Sequence, residues 1–298
     1  MSHNLLTISD LTRKDIVALF TRTDKIRERR TTAVVNSSQL GGLLFFEAST
    51  RTRIGFEAAA WKLGIQTVVM NETKNNTRMS EGESIRDTIR TLNPYVTFFC
   101  IRHPDENIFS EVLPFTDHPV INCGNGYDEH PTQALIDAYA IWTKFGTLDG
   151  LTITMIGDLR YTRSVHSLLL LLSRFSDVTV QQFAPKQLQL QDVHLQSFLA
   201  NNTLTSSSAP HWGKEQVVYV AGFPPVNPSG VFPQTVRNKY TITPMVVGQL
   251  KAECIILNPL PRIDEISEAV DSSPNAFYFQ QNELGLAVRM AILEQFCL

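Results

Sequence analysis

The chain has little of what marks a secreted, metal-bound or nucleic-acid-binding protein. Its four cysteines, Cys100, Cys123, Cys254 and Cys297, include no CxxC pair, and no zinc-ligand spacing is present. No metal is expected. The first three cysteines stand in apolar runs, as small core residues of a reducing compartment do. No hydrophobic run approaches the length that spans a bilayer, and Met1-Ser2-His3-Asn4 lacks the charged-then-apolar pattern of a secretory leader. The expectation is a cytoplasmic protein with no membrane partner. Neither sign of charge dominates: the net charge of −3 gives no electrostatic reason to expect nucleic acid. Repeats and low-complexity tails are also missing.

What remains is an ordinary soluble composition. The 298 residues are 43% hydrophobic and 18% charged, and that length suggests two domains. Short apolar runs at 43–47, 67–70, 96–101 and 120–123 read as buried strands of a parallel sheet. A first helix is expected over 9–28, capped by Ser9 or Asp10, and a long helix over 131–144 with proline in its first turn. A second series follows, with strands at 151–156, 178–183, 216–220 and 254–257. Its helices are expected at 163–175, 186–199 and 244–251, with a last helix at 284–296 and a polar loop at 201–208. The fold class is α/β, with two doubly wound parallel-sheet domains joined by long helices and an active site in the cleft between them. The first domain is expected over 1–130, completed by 284–298, and the second over 131–283.

Polar clusters follow directly on the predicted strands, at 49–52, Arg102, 124–130, 158–163 and 259–262. Ligands of open α/β sheets bind beyond these strand ends. The stretch Phe45-Phe46-Glu47-Ala48-Ser49-Thr50-Arg51-Thr52 puts hydroxyls and an arginine at a helix N-terminus, where free N–H groups and the helix dipole favour an anion. Arg51 adds a fork that can grip a phosphate in two places. Alone, the segment fits an ordinary capped helix equally well. The helix after it is expected to bury Ile54, Ala58, Trp61 and Leu63 and to stop at Gly64. Glu47, at a buried strand end, should pair with an arginine.

Four motifs then occur in a familiar order: Phe46-Glu47-Ala48-Ser49-Thr50-Arg51-Thr52-Arg53, Arg102-His103-Pro104, His130-Pro131-Thr132-Gln133-Ala134-Leu135-Ile136-Asp137 and Pro259-Leu260-Pro261-Arg262-Ile263-Asp264-Glu265-Ile266. With them the whole chain resembles the aspartate/ornithine carbamoyltransferase family, as a divergent member of the aspartate branch. The branch is indicated by Pro259-Leu260-Pro261 and Tyr278-Phe279-Gln280-Gln281. The resemblance implies attack of an amine on the carbonyl of carbamoyl phosphate, with phosphate leaving and no cofactor. It implies that Ser49, Thr50, Arg51 and Thr52 hold the phosphate. Thr52, Arg102 and His130 would surround the carbonyl oxygen. Gln133 and the carbonyls of Pro259 and Leu260 would hold the carbamoyl nitrogen. Arg163 would take the acceptor's α-carboxylate, and Arg289 would organise the acceptor pocket. It also implies a homotrimer with shared active sites.

Three departures from the family pattern matter. The family's mobile loop ends in Lys-Gly-Glu, whereas here Glu81-Gly82-Glu83 puts an acid at the lysine position, beside a doubly charged phosphate. Arg78 or Lys74 could substitute. The family's acceptor-gripping segment carries an arginine and a glutamine. Here it reads Tyr219-Val220-Ala221-Gly222-Phe223-Pro224-Pro225, with Arg237 and Lys239 the nearest downstream cations. Asn258 stands where a histidine is common. Three functions stay open: a carbamoyltransferase for an amino acid other than aspartate, a non-catalytic paralogue, and an aspartate carbamoyltransferase with substitute residues.

Overall fold

The computed structural model describes residues 4–28, 39–71, 82–191, 195–207, 209, 212–223 and 228–298. They form two compact units, Met1–Leu135 with Leu284–Leu298, and Ile136–Glu283. Each is built on one parallel sheet.

In the first unit, β1 (Leu40–Phe45), β2 (Gln66–Asn71), β3 (Phe98–His103) and β4 (Val120–Asn125) lie in the order β2-β1-β3-β4. Every pairing is parallel. Residues 41–45 of β1 and all of β4 are buried, as expected of strands covered on both faces. The chain leaves β1 toward β2 and returns to β3 on β1's other side, which makes the β1–β3 border a topological switch point. In the second unit, β5 (Thr152–Gly157), β6 (Thr179–Phe183), β7 (Thr203–Ser206), β8 (Val217–Gly222) and β9 (Ile255–Leu257) lie in the order β7-β6-β5-β8-β9. The switch point there is between β5 and β8.

At that second switch the two backbones nearly touch. Gly157 has φ +106°, and a Cβ on it would lie 2.8 Å from the Gly222 carbonyl oxygen and 2.9 Å from the Gly222 nitrogen. The neighbouring Asp158 N–H donates to that carbonyl at 2.9 Å. A Gly157→Ala variant therefore meets both a backbone clash and a left-handed φ. It is expected to destabilise the second unit by about 2–4 kcal/mol, read as a lower urea midpoint.

Helices follow the strands. α1 spans Arg13–Arg27, α2 Arg51–Lys62, α3 Ile85–Leu92, α4 Ile108–Val112, α5 Pro131–Phe145 and α6 Arg163–Leu172. The final helix, Tyr278–Cys297, starts six residues before the expected position. Thr12, not Ser9 or Asp10, caps α1, because Asp15 lies three residues on and closes a capping box. In α2 the buried face is Thr52, Phe56, Ala59 and Ala60, with Leu63 buried just beyond its end. Ile54 and Trp61 are instead 49% and 76% exposed. Large apolar side chains suggested the wrong stripe, whereas the small alanines are what let the helix approach its sheet. Of the helix expected at 186–199, the described residues show 3₁₀ turns at Lys186–Leu188 and Phe198–Ala200 and a helical Leu195, while 192–194 lie outside the described residues. The buried Leu188 and Leu190 are spaced by two, not by a helical turn. The helix expected at 244–251 is only Pro244–Val247. The polar stretch 201–208 contains β7, an edge strand whose exposure makes it read as a loop.

All four cysteines are free and buried, in keeping with their apolar sequence surroundings. Burial pushes the Cys100 thiol well above its ordinary pKa, and that of Cys254 to about 12.

Candidate active site

The candidate site of the first unit lies at the carboxyl ends of β1, β3 and β4, beside the first switch point. Phe45 pairs with Arg102 across the β1–β3 border, and the Phe46 N–H donates to the Arg102 carbonyl at 2.8 Å. The two strand ends are thereby in register. From there the chain turns into α2, whose N-cap residue Thr50 makes no capping bond with its side chain. The first-turn N–H groups are thus not closed off by a local hydroxyl. Arg51 opens the helix. It is half-buried, and among the described residues no hydrogen bond or ion pair is found for it. Burial alone lowers its guanidinium pKa. A desolvated cation at a helix N-terminus is a standing attraction for an anion.

Arg102 reaches the same sheet end from β3. Its Nε donates to Glu47 Oε2 at 3.1 Å, the pairing expected for Glu47. That bond fixes the plane of the Arg102 fork. His130 arrives from the loop between β4 and α5. Asn125 shapes this loop: its N–H donates to the Glu129 carbonyl at 3.1 Å and its amide donates to the Glu106 carbonyl at 2.6 Å. Glu129, buried, accepts from the Ile8 N–H at 3.0 Å and from the Thr7 hydroxyl. His130 is buried between two threonines, with Thr52 Oγ1 3.4 Å from Nε2 and Thr132 Oγ1 3.2 Å from Nδ1. Thr52 and His130 thus meet across 78 residues of sequence. Gln133 stands in the first turn of α5, half-buried. Arg289, buried on the final helix, lies 5.8 Å over the Phe56 ring and against Gly55 of α2.

The candidate site of the second unit lies at the carboxyl ends of β5, β8 and β9. Arg163 is the first residue of α6 and is half-buried. Pro259 and Leu260 follow β9 after Asn258, and Leu260 has φ 53°, a left-handed conformation that costs a β-carbon residue about 1–2 kcal/mol. A buried network holds this turn. Asn258 Oδ1 accepts from the Leu260 N–H at 2.6 Å, and its amide donates to the Val220 carbonyl at 3.0 Å and to Glu265 at 3.1 Å. Gln281 accepts from the Asn258 N–H at 3.0 Å and donates to Asp137 at 2.6 Å. Tyr219 donates to the other Asp137 oxygen at 2.8 Å. Burial first, and then Asp137, drive the Tyr219 hydroxyl pKa well up. Arg262 closes the turn by pairing with Asp271 at 2.6 Å and with the Tyr278 hydroxyl at 3.2 Å.

Residue-by-residue reading of the sequence missed Asp137, Gln281 and Asn258 as builders of this turn. Polar residues inside a helix or at a strand end were the available signal. Of the substitute cations considered, Arg237 is already paired with Asp264. Past β8, Phe223 packs on Phe232 and Tyr240 at 5.6 and 5.5 Å between ring centres, and Tyr240 on Phe183 at 4.6 Å. Lys74, Arg78, Glu81, Pro224 and Pro225 lie outside the described residues.

Residues 3–143 match the family model "Aspartate/ornithine carbamoyltransferase, carbamoyl-P binding domain", and 149–296 match "Aspartate/ornithine carbamoyltransferase, Asp/Orn binding domain". The aspartate carbamoyltransferase catalytic subunit of Thermoplasma volcanium is 35% identical, over 97% of this chain and 96% of that protein. The multifunctional protein pyr-3 of Neurospora crassa is 38% identical over 97% of this chain, which spans 16% of that protein's length. Among solved structures, aspartate transcarbamoylase from Trypanosoma cruzi in complex with carbamoyl phosphate and aspartate superposes with a TM-score of 0.89 at 34% identity, over 97% of this chain and 94% of that one. The catalytic subunit from Methanocaldococcus jannaschii gives 0.88 at 33% identity, over 98% and 97%.

Proposed function

The chain belongs to the aspartate/ornithine carbamoyltransferase family, a family of transferases, and from that premise we propose that it moves the carbamoyl group of carbamoyl phosphate onto the amine of an amino acid other than aspartate. The observation that carries the transfer is Arg51, half-buried at the open N-terminus of α2 without a partner among the described residues.

In this reading the segment 1–130, completed by 284–298, binds carbamoyl phosphate, and 131–283 binds the acceptor. Ser49, Thr50, Arg51 and Thr52 take the phosphate, whose charge is balanced by the Arg51 fork and the first-turn N–H groups. Thr52, Arg102 and His130 stabilise the carbonyl oxygen as it gains charge. His130 meets the Thr132 hydroxyl at Nδ1 and the Thr52 hydroxyl at Nε2, and in the tautomer with its proton on Nε2 that nitrogen donates to the carbonyl oxygen. Gln133 and the carbonyls of Pro259 and Leu260 hold the carbamoyl nitrogen. Arg163 takes the acceptor's α-carboxylate. As phosphate departs, the cradle that bound it carries the leaving charge, so no metal or cofactor is assigned a step.

The acceptor is inferred from what surrounds the end of β8. No Lys or Arg occurs from Tyr219 to Phe232, Arg237 is engaged by Asp264, and Phe223 heads an aromatic cluster. Such a surface gives a side-chain carboxylate no counter-ion short of Lys239. We further propose a homotrimer with shared active sites, supported by the exposed Ile54 and Trp61 beside a shallow depression of α2 and β2. The free thiols suit the cytoplasm.

Calorimetric titration with carbamoyl phosphate tests the first part, and phosphate release against a panel of amino acids tests the second. Binding is expected, followed by release that saturates with an amino acid lacking a side-chain carboxylate. Absence of binding would sink the transfer reading. Release with aspartate alone would sink the choice of acceptor. Binding without release from any acceptor would favour a non-catalytic relative, the reading that Glu81 at the family's lysine position recommends.

A further inference from the structure

We infer that Asn258 is a positioning residue that aims the Pro259 carbonyl, and thereby sets selectivity for the amino group of carbamoyl phosphate; the inference rests on the proposed role of that carbonyl. The Pro259–Leu260 peptide is planar and trans, so its N–H and its C=O point to opposite sides. Asn258 Oδ1 takes that N–H at 2.6 Å. The Pro259 oxygen is consequently directed away from the Asn258 side chain.

Asn258 is itself held from three directions. Its N–H donates to Gln281, and its amide donates to the Val220 carbonyl and to Glu265. Gln281 is fixed in turn by Asp137. The Glu265 carboxylate also accepts from the Ile263 and Asp264 N–H groups at 2.8 and 3.1 Å, which ties down the far side of the turn. Leu260 stays in its left-handed conformation because these bonds over-determine it. One acceptor atom, Asn258 Oδ1, therefore decides where the peptide plane points, while the two donors on the same side chain serve the fold.

That division of labour is testable with a substrate analogue. Acetyl phosphate carries a methyl group where carbamoyl phosphate carries NH₂, so the preference between them reports carbonyls aimed at that nitrogen. Affinities for carbamoyl phosphate, acetyl phosphate and inorganic phosphate are measured by calorimetry on the full chain. The wild-type protein is expected to prefer carbamoyl over acetyl phosphate by about tenfold or more. Asn258→Ala, and Asn258→Leu as a variant that keeps the volume, should lower that ratio about tenfold and leave inorganic phosphate binding unchanged. Asn258→Asp loses both donors but keeps an oxygen for the Leu260 N–H. It should unfold at a lower temperature than wild type and still retain the ratio, a pattern that a purely structural role does not produce. An unchanged ratio in Asn258→Ala or Asn258→Leu overturns the inference alone, as does a ratio that simply follows the thermal midpoint across the variants. Wild-type protein that binds neither acyl phosphate overturns the underlying functional reading as well.

Discussion

Replacing Arg51 by methionine is expected to weaken carbamoyl phosphate binding by at least about 100-fold without lowering thermal stability. The affinity loss follows from two charge-assisted hydrogen bonds to one phosphate, each worth about 1.5–3 kcal/mol. The stability expectation follows from the ground state of the residue. Arg51 has no ion-pair or hydrogen-bond partner among the described residues, and burial lowers its pKa, so its charge is desolvated without a compensating bond from those residues. Removing that charge should leave the melting temperature unchanged or slightly higher. Arg51→Lys keeps the charge but loses the planar fork, and should fall between the two, near a tenfold loss. Calorimetry and a thermal melt on the same samples decide the matter. A methionine variant that binds within threefold of wild type, or one that melts well below it, would show that Arg51 belongs to the fold and not to the ligand.

The second large effect is on stability. Asp137 is fully buried on α5 and accepts from both Tyr219 and Gln281. An Asp137→Ala change strands two buried donors, each costing about 1–3 kcal/mol, and opens a void beside them. The expected loss is about 3–5 kcal/mol, or about 1–2 M in the urea midpoint of the second unit. Asp137→Asn can still accept from one donor but turns its own N–H₂ toward the other, and should lose roughly half as much. Tyrosine fluorescence or circular dichroism through a urea series reads both. A midpoint within 0.3 M of wild type for the alanine variant, on the order expected for a surface change, would mean that the network is not cooperative.

Much of this could be read along the chain, and the rest could not for physical reasons. Buried parallel strands are runs of apolar residues, so β1, β3, β4, β5, β8 and β9 announce themselves within six residues each. The anion-binding turn after β1 is equally local, because a helix N-terminus and its first side chains are consecutive. The face of α2 misled, since Trp61 and Ile54 are large and apolar yet exposed, while Ala59 and Ala60 are buried. Size is a poor guide where close approach of helix and sheet decides burial. The network behind Pro259 and Leu260 was not readable at all. Tyr219 and Gln281 meet Asp137 across 82 and 144 residues, and nothing in the local pattern of any of the three points to the other two. Asn258, which the sequence marks only as standing where a histidine is common, makes four of the hydrogen bonds that shape the turn.

The four buried thiols have a use beyond filling space. Only the thiolate reacts with a disulfide reagent, and here burial blocks access to all four sulfurs and suppresses ionisation of Cys100, Cys254 and Cys297. Each sulfur can therefore be modified only during an excursion that exposes it. Cys100, Cys123 and Cys297 belong to one unit and Cys254 to the other. The native sequence thus carries at least one buried thiol in each unit, whose modification rate measures how often that unit opens.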